Sequence, residues 1–70
     1  MNEIKIKVTG MNCNHCKINV ENNLKKISGI EIVVADVINN EVLLKGEHID
    51  LNQVKDTVES IGYSYAGILR

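Results

Sequence analysis

The amino-acid sequence predicts an α+β fold in which a four-stranded antiparallel sheet carries two helices on one face. Stretches with alternating apolar residues, typical of strands, and stretches with apolar residues three or four apart, typical of helices, follow one another in the order β-α-β-β-α-β. The 70 residues allow one small domain over residues 1–70 and leave no room for a second. Hydrophobic residues make up 44% of the chain, a proportion typical of globular rather than disordered proteins.

The first third of the chain predicts a strand followed by a helix. Apolar and polar residues alternate over residues 3–10, and Gly10 ends this strand. A helix then carries Cys16 in its first turn and ends at Gly29, because apolar residues recur at intervals of four, four and three. The apolar positions are Ile4, Ile6 and Val8 in the strand and Val20, Leu24 and Ile27 in the helix.

The middle of the chain predicts a β-hairpin. Residues 30–38 are rich in β-branched side chains, Asn39 and Asn40 form the turn, and residues 41–46 form the second extended run. The two strands should pair directly, because their connection is short.

A second helix and a closing strand complete the prediction. Asp50 offers a side-chain cap for a helix that Gly62 follows, and residues 63–70 form a short last strand. The apolar positions of this helix are Leu51, Val54, Val58 and Ile61. The complete order is that of the ferredoxin-like split βαβ arrangement.

Charge is distributed unevenly along a chain whose net charge is only −1. Residues 1–30 carry five lysines and two glutamates, a balance of +3, whereas residues 31–70 carry three basic and seven acidic groups, a balance of −4. The basic half predicts a surface that docks on an acidic partner, formed by Lys17, Lys25 and Lys26. Apolar runs fall short of the roughly 18 residues that cross a bilayer, and the N-terminus alternates charge with hydrophobe, so we expect a cytosolic protein without membrane insertion.

The only two cysteines, Cys13 and Cys16, lie in the segment MNCNHC between the first strand and the first helix. Their spacing brings both sulfurs to one end of the domain. The helix N-terminus and the charge of Lys17 should lower the pKa of Cys16. Two thiolates alone suit a soft ion of low coordination number such as Cu(I), and an open site lets a third thiolate enter before the first ones leave.

Other functions fit the residues less well. A closed zinc site needs four ligands, for which the chain offers the thiols plus His15 and His48. A dithiol redox protein shares the Cys-x-x-Cys spacing, but the thioredoxin-like active site uses a cis-proline and this chain has no proline. An RNA-binding domain shares the element order, yet the only aromatic residues are Tyr63 and Tyr65, so we expect no nucleic-acid partner.

The segment GMNCNHC within this element order resembles the heavy-metal-associated domain, whose G-M-x-C-x-x-C loop binds Cu(I) in cytosolic copper chaperones and in N-terminal modules of copper-transporting P-type ATPases. The resemblance extends over essentially the whole chain. It implies that Cys13 and Cys16 are the metal ligands and that Met11 anchors the loop in the core. It places Tyr63 beside the metal loop, where it shields or hydrogen-bonds a sulfur unless it is only a core-edge residue. It leaves His15 exposed, modulating protonation or partner contact.

Position 12 departs from the family pattern. Copper-binding members usually have Thr or Ser there and zinc-transporting members often Asp, whereas this chain has Asn12. The resemblance implies a non-enzymatic Cu(I) chaperone that passes its ion to a P-type ATPase or its metal-binding domain, with Zn(II) or another soft divalent ion as the alternative cargo. An excised ATPase module and a metal-bridged homodimer are further alternatives.

Overall fold

The computed structural model describes residues 2–69 and has the predicted order of elements. They are β1 (Asn2–Thr9), α1 (Asn14–Lys25), β2 (Ile30–Asp36), β3 (Glu41–Gly46), α2 (Leu51–Ser60) and β4 (Ser64–Leu69). The four strands form one sheet in the order β2-β3-β1-β4, and every neighbouring pair is antiparallel. The ferredoxin-like prediction is therefore confirmed.

Both helices cover the same face of the sheet. Ile6 of β1 pairs with Val42 of β3, and Val42 pairs with Ala35 of β2, so alternate residues of each strand point into one core. The sheet contributes Ile6, Val8, Val33, Ala35, Val42 and Leu44 to this core, and the helices contribute Val20, Leu24, Val54 and Val58. On the opposite face Lys5 lies 3.7 Å from Glu41 in a cross-strand ion pair. The period-two and helical patterns thus identified Ile6, Val8, Val20, Leu24, Val54 and Val58 as buried, whereas Ile4, Leu51 and Ile61 are only half-buried at the edge of the core.

The β2–β3 connection differs from the prediction. Strand β2 ends at Asp36 rather than at residue 38, and residues 37–40 form the turn. The Asp36 carboxylate accepts hydrogen bonds from the backbone N–H groups of Ile38 (3.0 Å) and Asn39 (3.2 Å), which bends the chain before the apolar run is over. Ile38 is consequently 93% exposed. The apolar character of this residue misled the prediction of the strand end.

Helix α1 ends at Lys25, four residues before the predicted stop at Gly29. Two tight turns follow, in which Ile27 N–H donates to Leu24 O at 3.1 Å and Ile30 N–H to Ile27 O at 3.2 Å. Ile27 is still buried, so its apolar spacing marked a core position outside the helix. Gly29 adopts a φ of +94° as the chain turns into β2.

Helix α2 begins as predicted. The Asp50 side chain accepts from the backbone N–H groups of Asn52 (3.0 Å) and Gln53 (3.4 Å). Strand β4 covers Ser64–Leu69, so Tyr63 precedes the strand and the predicted last residue, Arg70, lies outside the described residues. Neither helix within residues 2–69 is long and apolar enough to span a bilayer.

Candidate metal centre

The cysteine loop, residues 10–16, joins the central strand β1 to helix α1. Gly10 turns the chain out of the sheet with a φ of +101°, and the Met11 side chain then enters the core, where it is 3% exposed. Cys13 is the N-cap residue of α1 in an extended conformation, and Cys16 lies in the first turn as predicted. Because the loop is fixed by the core on one side and by the helix on the other, both thiols are held at one end of the domain.

The two thiols are free and adjacent. The Sγ atoms of Cys13 and Cys16 lie 3.3 Å apart, and the Cys13 side chain is exposed whereas that of Cys16 is half-buried. One soft ion can therefore contact both sulfurs, and an incoming ligand can reach Cys13 from solvent. The same geometry allows the thiols to share a hydrogen bond in the metal-free protein.

The surroundings of Cys16 favour its thiolate. Hydrogen bonds from the Asn12 backbone N–H, the Tyr63 hydroxyl and the Cys13 thiol, in decreasing order, lower the pKa of Cys16 from 9.0 to about 7, against a smaller opposing effect of burial. When protonated, Cys16 can donate to the Asn12 side-chain oxygen at 3.4 Å. The predicted direction is confirmed, but the causes are hydrogen bonds from individual neighbouring groups rather than the two predicted ones, the helix N-terminus and the charge of Lys17.

Tyr63 lies in the connection between α2 and β4, and its side chain lies next to the cysteine loop. Its half-buried ring packs against the core and lies beside Gly10, where an added Cβ atom would be 3.4 Å from Tyr63 Cδ1. The hydrogen bond to Cys16 raises the pKa of Tyr63, and a hydrogen bond from the Asn19 side chain acts in the opposite direction. The predicted proximity of Tyr63 to a sulfur is thus present in the structure.

Comparisons with known proteins agree with this geometry. Residues 5–64 match the family model of the heavy-metal-associated domain. The chain belongs to this family. It is 33% identical over 60 residues to the copper chaperone CopZ of Staphylococcus haemolyticus, an alignment that covers 83% of this chain and 88% of that protein.

Two further relatives show where this heavy-metal-associated domain occurs. The chain is 32% identical over 59 residues to a probable copper-transporting ATPase, HMA5 of Arabidopsis thaliana, and the alignment covers 81% of the chain but only 6% of that ATPase. A solved structure of a CopZ metallochaperone superimposes with a TM-score of 0.88 at 30% identity and covers 93% of this chain and 100% of that one. The domain therefore resembles both free chaperones and small parts of transporters.

The structure also places the other predicted residues of this heavy-metal-associated domain. Asn12 and His15 are exposed beside the thiols, and His48 is an exposed residue with a φ of +55°. Within residues 2–69, no group of three or more His, Cys, Asp or Glu side chains is arranged to hold a metal ion. In the described part of the chain, the groups placed to bind a metal ion are thus the sulfurs of Cys13 and Cys16.

The three lysines predicted for partner docking occupy different parts of α1 and its end. Lys17 follows Cys16 and lines a groove between α1 and the β2 edge, together with Asp36 and Ile38. Lys25 and Lys26 are exposed at the other end of the helix, and Lys25 lies about 12 Å along the axis from Lys17 at 1.5 Å per residue. Lys17 is thus adjacent to the cysteine loop, whereas the other two are remote from it.

Two asparagines at this site were missed by the sequence analysis. Asn19 lies one helical turn after Cys16, and this spacing of three residues was an available signal for its position near the thiol site. Asn40 was assigned only to the hairpin turn, yet its side chain contacts the cysteine loop. No local pattern indicates that contact, because it joins residues on two separate connections of the sheet.

Proposed function

We propose that this chain is a Cu(I) metallochaperone that holds one ion through Cys13 and Cys16 and transfers it by thiolate exchange. The observation that carries the proposal is the pair of free sulfurs 3.3 Å apart at the surface. Thiolates are soft ligands that select Cu(I), and two of them satisfy an ion that accepts low coordination. The similarity to CopZ of S. haemolyticus over 88% of its length supports this cargo.

The difference in exposure between the two sulfurs suggests the order of ligand exchange. Cys13 faces solvent, so a thiolate of the partner can bind the ion beside it and replace it first. Cys16 is held by the Asn12 backbone and by Tyr63, and it would leave second. Its lowered pKa supplies a thiolate near neutral pH. The reaction exchanges ligands on the cargo ion without changing a substrate covalently, so the proposed protein is not an enzyme.

The proposed recipient is a P-type ATPase or its metal-binding domain. The similarity to the HMA5 domain supports a partner of this class. Lys17 adjoins the thiols and would face acidic groups of that partner, with Lys25 and Lys26 extending the basic surface along α1. A metal-bridged homodimer through four thiolates is an alternative arrangement of the same site. A cytosolic location belongs to this proposal as well.

The second candidate function is that of a metal-binding module within a transporter, and the same HMA5 similarity favours it, because there the matching segment is 6% of the protein. Zn(II) is the second candidate cargo. Asn12 offers a neutral amide oxygen beside Cys16, a weaker ligand for a harder ion than a carboxylate would be. The site chemistry therefore favours Cu(I) for either protein context.

The test is anaerobic competition for Cu(I) against a strong chromophoric chelator, with Zn(II) measured in parallel on the same reduced protein. We expect the chain to retain up to one Cu(I) and to surrender Zn(II) to a moderate chelator. Cys13→Ser and Cys16→Ser should each abolish tight Cu(I) retention while circular dichroism stays unchanged. Lys55→Ser, an exposed change on α2, is the control. Retention of Zn(II) with loss of Cu(I), or unfolding of the metal-free Ser variants, would contradict the proposal.

A further inference from the structure

We propose that Asn40 is a positioning residue that fixes the cysteine loop to the β2–β3 turn. This inference rests on the proposed function and extends it to a residue outside the metal site. Asn40 makes three hydrogen bonds, one within its own turn and two to Val8 and Met11 in distant parts of the chain. Its side-chain Oδ1 accepts from Met11 N–H at 3.1 Å, its Nδ2 donates to Val37 O at 2.9 Å, and its backbone O accepts from Val8 N–H at 2.9 Å.

The bond to Met11 bears directly on the position of the thiols. The buried Met11 side chain draws its own backbone to the edge of the core, where an N–H group needs a partner, and Asn40 Oδ1 supplies it. Met11 lies two residues before Cys13, whose backbone O accepts the helical bond from Lys17 N–H at 3.3 Å. Only Asn12 lies between these two anchored residues. We call the hydrogen bond between Asn40 Oδ1 and Met11 N–H the clamp. It limits where Cys13 can lie relative to Cys16.

The turn that carries Asn40 is itself well anchored. The Asp36 carboxylate accepts from two turn backbone N–H groups and from Asn39 Nδ2 at 2.9 Å. Lys7 Nζ donates to Asn39 O at 2.8 Å and ties the turn to β1. The Asn40 side chain can therefore position the cysteine loop, because the backbone of residue 40 is held by the turn and does not move with the loop.

The backbone conformation at position 40 limits which residues can form the clamp. Asn40 has a φ of +54°, in the left-handed region that Gly, Asn and Asp tolerate best. Gly would keep this conformation and the backbone bond from Val8 but has no side chain for Met11. Asp would keep an acceptor for Met11 but lose the donor to Val37. Comparing the two substitutions therefore separates the effect of losing the bond to Met11 from the effect of losing the bond to Val37 within the turn.

The experiment compares wild type, Asn40→Gly, Asn40→Asp and the control Asn39→Ala, which removes a side-chain bond within the same turn without touching the loop. Two quantities are measured: Cu(I) retention against the chelator, and amide hydrogen exchange of Met11 in the metal-free protein by NMR. Asn40→Gly removes the side-chain bonds to both Met11 and Val37, of which the Met11 bond holds the cysteine loop. It should weaken Cu(I) retention about two- to tenfold, the usual value of that one bond, and accelerate Met11 exchange. Asn40→Asp and Asn39→Ala should keep Met11 protection and stay within about twofold of wild-type retention.

Two results would overturn the clamp. One is wild-type Met11 protection in Asn40→Gly. The other is equal loss of Cu(I) retention in Asn39→Ala and Asn40→Gly, which would trace the effect to turn stability. If the wild-type chain releases Cu(I) to the chelator, the proposed function is wrong. The hydrogen exchange of the Met11 amide in the metal-free protein then still decides whether the clamp exists.

Discussion

Replacing Met11 tests whether its thioether is a core group or a third metal ligand. Its side chain is 3% exposed and belongs to the cluster that contains Val8, Val20 and Leu24. A core role predicts that Met11→Ala destabilises the protein, whereas Met11→Leu preserves both stability and Cu(I) retention. A ligand role predicts that both substitutions reduce Cu(I) retention, because neither side chain carries sulfur.

The expected size of the effect follows from the burial of Met11. Truncating a fully buried methionine to alanine costs about 2–5 kcal/mol, and the loop position lets neighbours close part of the cavity, which favours about 2–3 kcal/mol. A domain of 70 residues has a total stability of about 3.5–10 kcal/mol. At about 4–8 °C per kcal/mol, Met11→Ala should lower Tm by roughly 10–20 °C. Met11→Leu conserves volume and should cost less than about 1.5 kcal/mol.

The assay combines thermal unfolding of the metal-free variants with Cu(I) competition at a temperature where all of them are folded. Ile38→Ala serves as the control, since this residue is 93% exposed and its truncation should change stability by less than about 0.5 kcal/mol. A Met11→Leu protein that unfolds at the wild-type temperature but retains Cu(I) tenfold less tightly would refute the core role.

Four further predictions concern the thiol site and the fold. The rate at which Cys16 is alkylated should rise with pH, with a midpoint near pH 7, and Tyr63→Phe should shift that midpoint upward. Mass spectrometry measures the rate, and an unchanged midpoint in Tyr63→Phe would contradict the hydrogen bond from Tyr63 to Cys16. Because the pKa of Cys16 is lowered from 9.0 to about 7, its contribution to metal-free stability is complete above pH 9 and is lost as the pH falls through about 7, which denaturant titrations at several pH values would detect. Asp50→Ala should lower the free energy of unfolding by about 0.5–2 kcal/mol without changing Cu(I) retention, since it removes only the α2 cap. A variant with the unfolding free energy of the wild type would contradict this. Gly46→Ala should unfold the domain, because the added Cβ would overlap the carbonyl oxygen of Gly29 in the connection before β2. Circular dichroism measures this, and a folded variant would show that the connection can move away from β3.

The sequence by itself determined the elements and the pair of thiols. Apolar periodicity is a local signal that reports which face of each element is buried, so it located the strands, both helices and core residues such as Leu24 and Val58. Capping is equally local, which is why Asp50 was found. The Cys-x-x-Cys segment at a strand-to-helix junction predicted that the two sulfurs lie together, because three residues of spacing at a helix start bring them to the same side.

Only the tertiary structure decided how the cysteine loop is held. The bond of Asn40 to Met11 joins connections that are far apart in sequence, and the strand order β2-β3-β1-β4 brings them together. The position of Tyr63 beside Cys16 was expected from the family resemblance and from no local pattern. Local patterns carry no information about such contacts, because an exposed-looking amide or hydroxyl acquires its partner from sheet register and turn geometry. The misplaced end of β2 has a different, local reason: the Asp36 carboxylate accepts from the backbone N–H groups two and three residues later, and this turn ends the strand before the apolar run does.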